Sequence, residues 1–360
     1  MFAWKSLKSK GKKKTDKKGR GKFYGLLSAG VVVGILVVFG VVIYATGATN
    51  TFVRGVTKVL PYPTIFVNGV PSTYNSFAYS VASLEEAFEK QEGINFSDPS
   101  QESFKTEVRE SVLTHLVEDR LVRQLAAQYG AVVTQEKIDT VMQTITGADN
   151  ENLEAVETEL DEKYGWTLDD YVSEVVIPSL YREELQKMVV TDEELNSEAY
   201  AKALEVLEKV QVPGSDFGAI AKEYSEGPSA ENGGDLGTTE PGAFVPEFEE
   251  AARALEPSGI SGIVKTQYGF HIIKVVDRDG DSMHTRHILI QGLDFENWFY
   301  EKLQNAVIWL PLFGYSWEPE LGIVQAREKD TGLEEGDWIT GDTETTEAVD
   351  ATETAEDSAE

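Results

Sequence analysis

No cysteine occurs in the 360 residues. Disulfides, thiolate chemistry, cysteine-bound metals and attachment through a lipidated cysteine are therefore excluded, and stability must come from packing. Histidine is nearly as scarce, with four copies at His115, His271, His284 and His287. No zinc spacing, complete phosphate-binding loop or hydrolase triad can be assembled from what remains. Asp277, Asp279 and Asp281 alternate as in a calcium loop, but the rest of that spacing and its closing Glu are missing, so they are read as a polar turn. No metal and no cofactor are expected. Cations are also few, 32 against 62 acids for a net charge of −30, and they are unevenly placed. Ten Lys/Arg and a single Asp fall within residues 1–22, which leaves the remainder strongly acidic.

A charge-free run, Gly25–Thr46, follows the basic segment. About 20 apolar residues at 1.5 Å rise span the hydrocarbon core of a bilayer. Tyr24 and Tyr44 stand where interfacial aromatic residues are expected, and the Lys/Arg bias places residue 1 on the cytoplasmic side. The expectation is a basic cytoplasmic segment (1–22), one transmembrane anchor (23–46) and everything after it outside the cell membrane. A cleaved signal peptide with a small-residue site near Ala45–Ala48 is the competing reading. Binding of nucleic acid by the Lys run is a second alternative, but its place beside the apolar run makes topology the better account.

Residues 47–71 are expected to be a stem with a short strand at Pro61–Val67, turned by Asn68-Gly69. Ser72 is expected to cap a helix containing Phe77, Val81 and Leu84. Phe104, Val108, Val112 and Leu116 recur at helical spacing, and Gly130 ends their helix. Further helices are expected over Thr134–Ile145, Leu153–Tyr164 and Leu168–Met188. Residues 72–190 thus form a mostly helical domain without a catalytic constellation; His115 lies in its apolar stripe. Helices are expected again at Ala201–Val210, Phe217–Tyr224 and Val245–Leu255, and strands at Gly269–Val276 and Thr285–Ile290, bounding a domain at 191–292. Residues 293–325 are aromatic, begin as a helix that runs to Pro311, and are expected to pack on the helical domain. The acidic tail, 326–360, has too little apolar surface to order itself. The fold class is α+β.

Several blocks carry a resemblance. VNGVPSTYNSF (67–77), LVEDRLVRQLAAQYGAVVTQEKID (116–139) and YGWTLDDYVSEVVIPSLYREEL (164–185) resemble the N-terminal chaperone region of SurA- and PrsA-type extracytoplasmic foldases. FGAIAKEYSEGPSAENGGDLG, PGAFVPEFEEAARALEPSGISGIVKTQYGFHIIKV and RHILI, within Ala201–Gln291, resemble the parvulin-type rotamases. That resemblance implies an antiparallel sheet wrapped by helices, a peptidyl-prolyl cis-trans isomerase activity, and clients that are unfolded or proline-containing polypeptides. It implies His271 and His287 as the catalytic pair, and Leu236, Phe244 and Phe248 as the proline pocket. Glu226, Gln267 and Tyr268 are further candidate substrate contacts. Gly227 stands where many members of the family carry Cys or Asp, which leaves a catalytically weak holdase as the alternative function.

One feature departs from the family order. The His-Ile-Leu strand, normally first, arrives last at Thr285–Ile290, which implies a circularly permuted domain; a truncated second repeat is the rival reading. A hairpin centred on Asp279, with Val276 opposite Ser282, would set His271 directly opposite His287. Opposed residues share a sheet face, and a slip of one residue would part them.

Overall fold

The computed structural model describes residues 34–327. The basic segment, the first part of the expected anchor and nearly all of the acidic tail lie outside them. Residues 34–46 are helical (α1). Among the described residues no helix is long and apolar enough to cross a membrane. Within the expected stem, Thr51–Val59 is a second helix, α2, capped by the Asn50 side chain on Val53 N at 3.1 Å.

Strands β1 (Pro63–Val67) and β2 (Val70–Thr73) form a tight hairpin. Its turn residues Asn68 and Gly69 both have positive φ, 49° and 80°, as the turn type matched to strand twist requires. The cap of α3 (Tyr74–Glu92) is Thr73 rather than Ser72: its hydroxyl accepts from Ser76 N at 3.2 Å. Helix α4 (Glu102–Tyr129) ends at Gly130 in the left-handed conformation. It is followed by α5 (Gln135–Thr146) and α6 (Leu153–Tyr164). The last helical stretch is α7 (Leu168–Tyr171), a π-type turn at Val172–Val176, and α8 (Ile177–Val190).

The next elements build the second sheet. Helices α9 (Ser197–Gln211) and α10 (Phe217–Tyr224) lead through a glycine-rich loop to β3 (Asp235–Thr239) and α11 (Pro246–Arg253). Strands β4 (Ile260–Thr266), β5 (Gly269–Asp279) and β6 (Ser282–Gln291) follow as a meander. The order across the sheet is β3-β6-β5-β4. β6 therefore sits inside the sheet, and without it β3 would have no partner. This disposes of the truncated-repeat reading: the late strand completes this sheet.

Each face of that sheet has its own apolar layer. Phe270, Ile272, Ile288 and Ile290 pack against α9 and α10 through Ala203, Val206, Phe217 and Ala221. On the other face Ile273, Val275 and Met283 pack against Phe248 and Ala252 of α11. The alternation of strand side chains puts His271 and His287 on this second face.

The aromatic C-terminal segment returns to the helical domain, as expected, but its helix is shorter. α12 (Phe295–Gln304) stops well before Pro311, and β7 (Ile308–Trp309), β8 (Tyr315–Glu318) and β9 (Ile323–Ala326) follow. β7 pairs with β1. Trp298, Phe299, Leu312 and Val324 share one core with Tyr74, Phe77, Leu113 and Leu185.

Candidate active site

The β5–β6 hairpin turns through Gly280 and Asp281, with Asp279 opposite Ser282. Gly280, at the first central position, has φ 61°, which suits glycine there. Val276 is an extra residue on β5, since Val275 faces Thr285 while Asp277 faces His284. Beyond this bulge His271 faces Leu289 and Ile273 faces His287. The expected direct opposition of the histidines is thus corrected by two residues. A shift of two preserves the face, so the rings meet as diagonal neighbours.

They meet closely. The two Nδ1 atoms are 3.2 Å apart and the rings stack with centroids at 5.4 Å. At the outer ends, Thr266 Oγ1 lies 2.9 Å from His271 Nε2, and Ser229 Oγ lies 2.9 Å from His287 Nε2. Tyr268 N donates to Thr266 Oγ1 at 3.1 Å. The hydroxyl hydrogen of Thr266 sets the polarity of the chain. Thr266 already accepts, and its buried hydroxyl hydrogen needs an acceptor, which is His271 Nε2. His271 then donates from Nδ1 to His287 Nδ1, and His287 donates from Nε2 to Ser229.

Both rings are almost fully buried, 4% and 8% exposed. Burial, with a smaller contribution from the neighbouring ring, pushes His271 down to about 3, and burial pushes His287 down to about 4. Both are neutral at physiological pH, as the one-proton-per-bond chain requires.

Apolar groups cover the pair. Phe248 sets its edge against both rings, with centroids at 5.6 Å from His271 and 5.8 Å from His287. Phe244 packs on Phe248 at 4.7 Å, and half-buried Leu236 joins the same layer. The three expected pocket residues thus share one apolar layer, in which Phe248 touches both histidines. Gly227 lies beside them: a Cβ there would sit 3.5 Å from His287 Nε2 and 3.4 Å from Leu289 Cβ.

The other candidates divide. Glu226 is not turned to the pair. Its carboxylate accepts from Gln291 N at 2.7 Å and pairs with Lys202 at 2.6 Å, so it ties the loop to the end of β6. The Gln267 carbonyl accepts from Gln186 Nε2 at 3.3 Å, which links the β4–β5 turn to α8. Tyr268 is exposed beside that turn, and only its backbone reaches the network. His284 lies on the opposite face and bonds Asp235 at 2.9 Å, where Arg286 also bonds. His115 is exposed on α4.

Sequence reasoning missed Ser229 and Thr266. The available signal was chemical: two neutral buried histidines leave two outer nitrogens to satisfy, and both hydroxyls lie in the quoted blocks. The loop carrying Ser229 is held down at Gly234, whose carbonyl accepts from His287 N at 2.8 Å. Gly234 has φ 73°, and a Cβ there would fall 2.0 Å from His287 O. Only glycine fits between loop and strand.

Residues 184–277 match the PPIC-type PPIASE domain, and residues 20–164 match the SurA-like N-terminal domain. The first match stops before β6, although the sheet and the histidine pair need that strand. The foldase protein PrsA of Geobacillus kaustophilus is 34% identical over 213 residues, covering 54% of this chain and 72% of that protein. The chain belongs to the PrsA foldase family. PrsA of Halalkalibacterium halodurans is 35% identical over 199 residues, covering 47% of this chain and 58% of that protein. The chain thus spans a little over half the length of one of these relatives and nearly three quarters of the other. A solved structure of the peptidylprolyl isomerase PrsA from Bacillus cereus aligns at 28% identity over 52% of this chain and 73% of that one, with a TM-score of 0.22.

Proposed function

We propose that this chain is a peptidyl-prolyl cis-trans isomerase and chaperone that assists the folding of secreted or envelope proteins outside the cell membrane. The observation that carries the enzymatic part is the hydrogen-bonded, neutral His271–His287 pair beneath Leu236, Phe244 and Phe248.

The reaction breaks no bond. An X–Pro amide must rotate over a barrier of about 20 kcal/mol, because resonance is lost when the amide twists. A site speeds both directions by binding the twisted amide better than either planar form. Half-buried Phe244 and Leu236, packed in one layer with buried Phe248, offer an apolar surface for the uncharged proline ring. The histidine pair fixes the floor of that surface without bringing a charge under it. In this reading the pair positions and polarises, and no proton leaves the chain of four side chains.

The client-holding part rests on the helical domain. Between α3, α4 and α8 lies a cleft of about 590 Å³, lined by Leu84, Val112, Val122, Val175 and Pro178 together with Glu118, Glu174 and Arg182. Burial raises the proton affinity of both carboxylates. A largely apolar cleft of this size suits hydrophobic client segments. Anchorage by one helix, with residue 1 cytoplasmic, is supported by the basic segment before the apolar run Gly25–Thr46.

Gly227 favours a second reading, a holdase without turnover, because no acid or nucleophile stands beside His287 at that position. A protease-coupled isomerisation assay on an Ala-Pro tetrapeptide separates the two. Acceleration by the wild type, absent in a folded His271→Ala/His287→Ala variant, supports the enzyme. No acceleration together with suppressed aggregation of an unfolded client supports the holdase.

A further inference from the structure

The end of the apolar run is built into the helical domain rather than strung out from it. Tyr62 donates its hydroxyl to Leu36 O at 2.7 Å, Tyr44 to Pro63 O at 2.9 Å, and Tyr74 to both Ile43 O and Ala48 O at 3.0 Å. Gly40 lets α1 lie against Tyr62, whose ring would be 3.0 Å from a Cβ placed there. Ile43 is fully buried in the domain core. From Leu36 to Thr46 the helix is therefore docked over about 15 Å of its length.

Its other face is bare. Ile35, Val37, Val38, Val41 and Val42 are 49–63% exposed. A helix that is apolar all round belongs in an apolar medium on every side, and the protein covers only one. The bare surface also continues past α1. Phe52 of α2 sets its edge on Phe39 at 6.3 Å and is 70% exposed, and Val59, two turns along α2, is 77% exposed. Lys58 is exposed next to Val59, as expected of a cation that reaches lipid headgroups from an interfacial helix.

We propose that the outer face of α1, continued by Phe52 and Val59 of α2, is a lipid-contacting surface that clamps the helical domain to the bilayer in one orientation. The occupant is the bilayer because the same apolar run extends back to Gly25 and is preceded by a basic segment. The stretch matching the SurA-like domain begins at residue 20, so this run belongs to the domain's own pattern. The proposal rests on the anchor reading and goes beyond it. A tethered domain would leave Phe52 and Val59 in water, whereas a clamped one seats them in the interface.

The absence of cysteine makes single-site labelling direct. The full chain carrying Val42→Cys, Phe52→Cys or, as a remote control on α10, Glu223→Cys would be labelled with an environment-sensitive fluorophore. Each would be reconstituted in phosphatidylcholine/phosphatidylglycerol vesicles with brominated acyl chains. Labels at 42 and 52 should be quenched severalfold more than the label at 223. Adding Gly40→Leu, which pushes α1 off Tyr62, should return position 52 to water while position 42 stays quenched. If alkaline carbonate releases the chain from vesicles, the anchor reading fails and the proposal fails with it. If the chain stays integral but position 52 is quenched only by aqueous iodide, the clamp alone is overturned. Crosslinking of position 52 between two copies would also overturn it, since a second copy would then be the cover.

Discussion

Burial leaves His271 and His287 without protons at neutral pH, and two consequences can be measured. In the unfolded chain each ring takes a proton near pH 6.5, while the folded rings resist until about 4 and 3. The unfolded state therefore binds more protons between those limits. The stability these rings contribute is complete above about pH 6.5 and drains as the pH falls toward 4. For His287 the loss reaches on the order of 3 kcal/mol. Urea midpoints from pH 7 to pH 4 should fall steeply in the wild type and less so in a His287→Phe variant. The isomerisation rate, in contrast, should be level from pH 8 to pH 5.5; a rate that titrates near 6.5 would contradict a neutral pair. Ser229 offers a second test. Ser229→Ala leaves the His287 Nε2 hydrogen unpaired, at a cost of about 1–2 kcal/mol in thermal unfolding. Ser229→Thr should recover part of it.

The elements were legible to different degrees, for reasons that lie in particular residues. Helix α10 runs from Phe217 to Tyr224 as its apolar spacing implies, and the Asn68-Gly69 turn is the one its residue types demand. The β5–β6 hairpin was legible in face but not in register. The tight turn at Gly280-Asp281 moves the pairing by three residues and the bulge at Val276, which nothing local announces, takes one back, so the net shift is two. The apparent stem is α2, capped by Asn50, with Val53 buried in the core of the helical domain. The bonds from Ser229 and Thr266 to the histidines were not legible, since Ser229 lies 58 residues from its partner. The glycine-rich loop yields the prediction proper to this scale. Gly234→Ala forces a Cβ into His287 O at a positive φ, which strains the loop and parts it from β6. Such a variant should lose at least about 2 kcal/mol of stability, seen as a lowered denaturant midpoint. An unchanged midpoint would mean the loop and strand are not in contact.

The two ends of the folded chain share one core, with the isomerase domain inserted between them. Leu312, which follows the isomerase domain in sequence, is 2% exposed and belongs to the core around Tyr74 and Phe77. Leu312→Ala should cost about 2–4 kcal/mol and lower the melting of the helical domain rather than that of the β3–β6 sheet. Domain-resolved hydrogen exchange would distinguish these. Contacts between α8 and the isomerase domain, Lys187 with Glu247 and Gln186 with Gln267, join the domains through polar groups at their boundary. Ion pairs of this kind contribute little each, so they orient the domains more than they stabilise them.

The central claim is that a strand arriving after the rest of its domain completes the isomerase site. His287 and His284 lie three residues apart on that strand and face opposite sides of the sheet. The most direct measurement compares His287→Ala with His284→Ala in the protease-coupled isomerisation assay, with circular dichroism confirming that both fold. The account predicts that His287→Ala loses most of the catalysed rate and His284→Ala keeps it. Equal effects, or a fully active His287→Ala, would contradict it.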